Sequence, residues 1–128
     1  MSTLKVTNIQ DASGGNSSTS AEIYSGRCKA WVSFNGYGTV SIRADFNVNT
    51  ITDNGTGDYT VNFSNALTNS SYAVSAEGQT SSAANSYWSY ASWVNSVAST
   101  NVQVNFAGND QFGTHYQDTS TYKVIIFH

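Results

Sequence analysis

Few residues in this 128-residue chain carry side chains that can make or break bonds. Cys28 is the only cysteine, and His115 and His128 are the only histidines. A thiol nucleophile needs a histidine to take its proton, and neither histidine sits in a cysteine-enzyme context. Cys28 therefore reads as a small apolar residue. A lone cysteine also excludes an intramolecular disulfide and a multi-cysteine zinc site. His115 reads as a solvated loop residue and His128 as a terminal one. Only repetition about a symmetry axis would build a metal site from one histidine per chain. The acidic candidates for glycoside hydrolysis are Asp45, Asp53, Asp58, Glu77, Asp110 and Asp118. That chemistry needs two carboxylates about 5–10 Å apart, and most of these fall in turn signals. Asp53 and Asp58 flank Asn54-Gly55-Thr56-Gly57. A calcium loop would place carboxylates at alternate positions with a late Glu, so this segment reads as a tight turn. No Ser–His–Asp spacing or metal motif is present. The expectation is a non-enzymatic protein with no cofactor and no bound metal.

The side chains that stand out are aromatic. Tyr87, Trp88, Tyr90 and Trp93 fall within eight residues, and Trp31 stands apart. Exposed rings stack on the apolar faces of sugars, while Asn, Ser and Asp hydrogen-bond the hydroxyls. The same rings also pack cores and subunit interfaces. Trp31 reads as a core or interface residue. In the Tyr87–Val94 stretch the rings lie on both strand faces and cannot all enter one core. The segment 108–118 is the longest loop signal, and loops on a rigid β scaffold commonly carry recognition. Its Asp110, Phe112, Tyr116 and Asp118 join Tyr87, Trp88, Tyr90 and Trp93 as candidate glycan-binding residues.

Composition agrees with a neutral ligand. Charged residues make up 10% of the chain, against about 25% in an average globular protein. Ser, Thr and Asn together supply about 48 of the 128 positions. Five Lys and Arg against eight Asp and Glu leave no basic patch for phosphates, so nucleic-acid binding is not expected. No apolar run approaches the roughly 18 residues of a membrane span. Met1 is followed by polar residues, not by the charged start and apolar core of a signal peptide. A 39% apolar and 13% aromatic content argues for a folded domain rather than disorder.

The elements that must position these residues read as strands. Ala30, Val32 and Phe34 alternate with Trp31 and Ser33, and Asn35-Gly36 is a hairpin signal. Val40, Ile42, Ala44, Phe46 and Val48 then face one way for five alternations. Further strands are predicted at Tyr59–Phe63, Tyr72–Ala76, Tyr87–Val94, Val102–Phe106 and Tyr122–Phe127. In the last of these, Ile125 and Phe127 oppose Tyr122, Val124 and Ile126. Both faces are apolar, so that strand is expected to be central or covered. No stretch reads as a helix. The prediction is an all-β domain over 27–128, an antiparallel sandwich or barrel of about seven or eight short strands. Residues 1–26 read as an extended N-terminal arm and linker. Leu4, Val6 and Ile9 are their only large apolar residues before Ile23, ahead of the turn-rich run Asp11–Ser20. Fully extended, about 25 residues span roughly 85 Å at most, enough to dock on a neighbouring chain.

One block is more specific. Lys29-Ala30-Trp31-Val32-Ser33-Phe34-Asn35-Gly36 leads into Gly38-Thr39-Val40-Ser41-Ile42-Arg43. Ile51-Thr52-Asp53-Asn54-Gly55-Thr56-Gly57-Asp58-Tyr59-Thr60-Val61-Asn62-Phe63 follows. With the arm before it, roughly residues 3–63, this resembles a module of phage tail-fibre-like proteins, especially those of marine and cyanobacterial phages. Residues 64–128 resemble the family only in style. The resemblance implies a virion structural protein, usually trimeric, assembled in the host cytoplasm, with receptor specificity in its distal half. Met1 stands almost directly before the module, so a short free-standing component is expected, attached to other virion proteins through Leu4, Val6 and Ile9. The alternative is a decoration or cement protein of the capsid or tail, whose arm staples neighbouring subunits. Expected partners are those virion proteins, further copies of the chain in a homotrimer, and a host-surface glycan.

Overall fold

The computed structural model describes residues 2–79, 89–110 and 113–128, the side chains of Ser89, Tyr90, Asn109 and Asp110 excepted. The N-terminal elements are β1 (Asn8–Ile9), β2 (Ser18–Thr19) and α1 (Ser20–Gly26). The domain then runs through β3 (Cys28–Asn35), β4 (Ser41–Phe46), β5 (Val48–Gly55), β6 (Asp58–Phe63), β7 (Ala73–Gln79), β8 (Ser89–Ala98), β9 (Asn101–Asp110), β10 (Gly113–Tyr116) and β11 (Thr121–Phe127). The fold is all-β and sandwich-like, as the alternation predicts. Four strands form one antiparallel sheet in the order β4-β3-β11-β7. The other sheet is centred on β9, which pairs with β8 along one side. Along its other side it pairs with β6 over residues 101–105 and with β10 over 107–110, while β5 pairs with the far edge of β6.

Period-two alternation sends one face of each strand into a common core. Ala30, Val32, Phe34, Tyr122, Val124 and Ile126 enter from the four-stranded sheet. Tyr59, Val61, Phe63, Val102, Val104 and Phe106 enter from the five-stranded one. The centre is aromatic. Tyr122 stacks on Phe34 at 5.4 Å between centroids and meets the edges of Tyr59 and Phe106 at 5.9 and 6.0 Å. Buried phenols need partners for their hydroxyls. Tyr122 Oη donates to the Asn105 carbonyl at 2.7 Å, and Tyr59 Oη lies 2.9 Å from both the Gly36 carbonyl and Asp118 Oδ1. Asp118 Oδ1 also accepts from the Gly57 N–H at 2.9 Å. Gly57 has φ +65°, and a Cβ there would run into the Phe106 carbonyl, so only glycine suits this turn.

Four details depart from the sequence reading. The strand predicted over 40–48 is divided between the two sheets. Asn47, at φ 56°, turns the corner between β4 and β5. Asn is among the few residues that tolerate this conformation. Its Nδ2 donates to the carbonyls of Lys29 and Asn65, and its Oδ1 accepts from the Asn65 N–H, which pins the corner. Within β4, a bulge opposite Ser33/Phe34 leaves Arg43 unpaired. A bulge inserts one residue and so exchanges the two faces. Ile42 pairs with Phe34 towards the core, whereas Ala44 and Phe46 face outward.

The third departure is the segment 108–118, which is mostly a hairpin of β9 and β10 rather than a loop. The fourth is the arm. It is exposed, with Leu4, Val6 and Ile9 at 86%, 46% and 57% exposure, but it is not extended throughout. β1 pairs with β2 around a turn in which Asp11 Oδ1 accepts from the N–H groups of Ser13 and Gly15. Helix α1 then opens on a capping box, with Thr19 Oγ1 accepting from the Glu22 N–H and Glu22 Oε2 accepting from the Thr19 N–H. The predicted total of seven or eight strands was low because the corner at Asn47 and the short β10 each add one.

The aromatic centre sets a pH limit on stability. Burial pushes the Tyr122 phenol up to about 12, against a smaller opposing effect of the Ser92 hydroxyl. Burial and then the hydrogen bond to Asp118 raise Tyr59 well above its ordinary value. A raised folded-state value favours the protonated phenol, so its contribution to stability is complete below the unfolded value near 10. It is lost as pH climbs to the folded value. Urea midpoints are expected to hold to about pH 9.5 and then fall steeply between about pH 10 and 12, and Tyr122→Phe should flatten that fall. An equally steep fall in Tyr122→Phe would assign the alkaline sensitivity to other groups.

Candidate functional site

The outer faces of the two sheets differ in kind. On the five-stranded sheet, the positions opposite the core residues are almost all neutral and polar. Register places Thr60 beside Gln103, Asn62 beside Asn101, and Asp58 beside Asn105. The side chains form a cross-strand ladder. Gln103 Nε2 donates to both Asp58 oxygens at 2.8 and 3.0 Å, and Ser96 Oγ donates to Gln103 Oε1 at 3.3 Å. Asn54 Nδ2 donates to Asp58 Oδ1 and Thr60 Oγ1 at 3.2 and 2.9 Å. Asn62 Nδ2 donates to Thr52 Oγ1 and Thr50 Oγ1 at 2.9 and 3.1 Å. Such pairs stiffen the surface and fix where its donors and acceptors point.

This ladder runs into an aromatic pair. Trp93 is the register partner of Asn105 on the β8 side. Tyr116 is the partner of Ala107, two residues further along the same face. The two rings touch, with centroids 5.6 Å apart and planes inclined at 53°. Tyr116 is 52% exposed and Trp93 is half-buried. Between Asp58 and Trp93 lies Asn105, only 3% exposed. Its Oδ1 is buried and has no hydrogen-bond partner among the described residues. Buried polar atoms are nearly always satisfied, so an orphaned acceptor beside an aromatic pair marks this point of the face.

Of the candidates read from the sequence, the structure brings Trp93 and Tyr116 together, across two strands. Tyr87, Trp88 and Phe112 lie outside the described residues. Tyr90 and Asp110 are placed only as strand positions, opposite Gly108 and Gly113. Asp118 does not join the site, because its Oδ1 is committed to Tyr59 and Gly57. Gln103 and Asn105 are not among the sequence candidates, and Asp58 is there only as a catalytic or calcium carboxylate. Alternation already put Gln103 and Asn105 opposite Val102, Val104 and Phe106, but their neighbours depend on a pairing that lies some 45 residues away in sequence.

The four-stranded sheet shows the opposite character. One row across it reads Phe46, Trp31, Ile125, Ser75, and the next Cys28, Phe127, Ala73. Trp31, Phe46, Ile125 and Phe127 are 38%, 51%, 40% and 42% exposed. Cys28, Trp31, Ile125 and Phe127 border a shallow groove of about 470 Å³. β11 is central in its sheet, as its sequence predicts, but its outer face is uncovered within this chain. Among the described residues, no three His, Cys, Asp or Glu side chains are grouped to hold a metal ion. No helix there is long and apolar enough to cross a membrane.

The chain matches no protein-family model, no curated protein and no solved structure.

The inward placement of Asp118 has a direct consequence. Asp118→Ala leaves the Gly57 N–H short of an acceptor and the Tyr59 hydroxyl with the Gly36 carbonyl alone, so unfolding free energy should drop by about 1–3 kcal/mol in urea titrations. Ligand affinity at the Trp93 face should stay unchanged. A variant of native stability with impaired binding would restore Asp118 to the site.

Proposed function

We propose that this chain is a non-enzymatic structural protein of a phage virion, a tail-fibre or receptor-binding module that holds a host-surface glycan. The observation that carries the reading is the contrast between the two outer faces. One sheet presents Trp31, Phe46, Ile125 and Phe127, a surface suited to burial against other chains. The other presents a hydroxyl and amide ladder ending in the Trp93–Tyr116 pair, a surface suited to stacking and hydrogen-bonding a neutral sugar in water. The resemblance over residues 3–63 supplies the virion setting. In that setting the apolar face packs in a homotrimer, and Leu4, Val6 and Ile9 attach the module to other virion proteins. Three of the acidic residues point different ways, which argues against paired-carboxylate catalysis. Asp58 lies on the polar face, Glu77 beside Lys123 on the apolar one, and Asp118 against the core tyrosine Tyr59.

The second reading, a cement protein of the capsid or tail, is favoured by the apolar face together with the exposed arm. Two measurements separate them. Purified protein should adsorb to host cells, with little change between low and high salt because few charges take part. Trp93→Ala and Tyr116→Ala, each checked for native folding, should weaken adsorption about tenfold or more. Absence of adsorption by the wild type, or undiminished adsorption by both variants, favours cement. Separately, the wild type should sediment as a trimer at micromolar concentration and Ile125→Glu as a monomer. A monomeric wild type would remove the assembly role of the apolar face.

A further inference from the structure

We infer that the point of the polar face at Asn105, where the ladder meets the Trp93–Tyr116 pair, is a subsite for an acetamido sugar, a hexose bearing an N-acetyl group; this rests on the glycan reading above. The argument begins with what Asn105 Oδ1 lacks. It is an acceptor held out of solvent, with no donor among the described residues. Its neighbours do not supply one. Gln103 Nε2 is already engaged with both Asp58 oxygens, and Asp58 is itself an acceptor. On the other side stands Trp93, and beyond it Tyr116 over Ala107. The unmet need is thus one donor, next to an apolar wall.

Ligand groups differ in how well they meet it. A sugar hydroxyl donates once but sets an oxygen with lone pairs of its own against the Trp93 and Tyr116 ring faces, whose donors lie only at the indole N–H and the phenol hydroxyl. An amide N–H has no lone pair, so one acceptor satisfies it, and in a trans amide the carbonyl of the same group points the opposite way, toward water or the donors of the ladder. In an acetamido group that N–H lies near a methyl, and the methyl would rest against the Trp93 and Tyr116 rings. The remaining sugar hydroxyls would meet the Asp58 and Gln103 ladder. A half-exposed tyrosine changes rotamer readily, so Tyr116 can turn aside to admit the group. Acidic sugars fit less well, because the ladder carries a carboxylate at Asp58 whose hydrogen bonds come from the neutral amides of Asn54 and Gln103.

The test titrates the full chain with N-acetylglucosamine and with glucose, following tryptophan fluorescence and the side-chain amide signals of Asn105. N-acetylglucosamine should bind in the millimolar range and glucose at least tenfold more weakly. Asn105→Leu and Asn105→Ala should abolish that preference. Their thermal midpoints should be unchanged or higher for Leu, because an orphaned acceptor is removed. That readout separates a ligand-facing Asn105 from a structural one, whose loss would lower the midpoint. Equal affinity for the two sugars, or a preference that survives in both variants, overturns the acetamido assignment and leaves the glycan reading intact. Binding of neither sugar, together with loss of cell adsorption sensitivity to Trp93→Ala, overturns both.

Discussion

The hydroxyl of Tyr122 is the contact on which the arrangement of both sheets depends. The residue is fully buried on β11, the central strand of its sheet, and it reaches across the sandwich to the backbone of Asn105 on β9. β9 is the strand with the most partners, pairing with β6, β8 and β10. A single phenol therefore ties the middle of one sheet to the middle of the other. Around it, Phe34, Tyr59 and Phe106 pack edge-on or stacked, and each such pair adds about 0.5–1.5 kcal/mol beyond its buried area. Because these rings enter from both sheets, they fix the separation and rotation of the layers as well as their stability.

The same geometry explains why the two outer faces are so unlike. With alternation enforced by the core, each outward residue is chosen by what covers that face rather than by the fold. On β9, outward positions are Asn, Gln, Asn and Ala, held among polar partners from β6. On β3 and β11, outward positions include Trp31, Ile125 and Phe127. The bulge at Arg43 is the telling detail. Without it Phe46 would face the core; with it, an aromatic ring is turned outward beside Trp31. An isolated domain gains nothing from exposing that ring, whereas an assembly gains a wider apolar contact.

Much of this fold was legible in the sequence because alternation is a local signal. The core of β3, β6, β9 and β11 follows from period two alone, and the sandwich from the count and spacing of strands. The failures are of two kinds. Some local signals were present but competed with stronger ones. Thr19 and Glu22 have capping-box spacing, yet the surrounding Ser and Gly run reads as linker; Asn47 interrupts nothing in the alternation it breaks. Other features are invisible without pairing. The Arg43 bulge appears only once Ser33 and Phe34 are set against β4, and Asp118 looks like an exposed loop acid until Tyr59 is placed beside it. For the candidate site, aromatic content pointed to Trp93 and Tyr116. The polar half of the site, Asp58, Gln103 and Asn105, exists only through the β6–β9 register.

Asn105 joins these threads. Its carbonyl is fixed from inside by Tyr122, while its side chain lies on the outer face with an unmet acceptor. Leaving such an acceptor buried costs about 1–3 kcal/mol. A rigid aromatic core can sustain that cost, and the local rule is broken at the one point where the polar ladder meets the aromatic pair. Sequence rules that hold everywhere else in a fold tend to fail where a surface is shaped for something other than folding. Here the inside of the sandwich, through one phenol, holds still the amide that the outside presents.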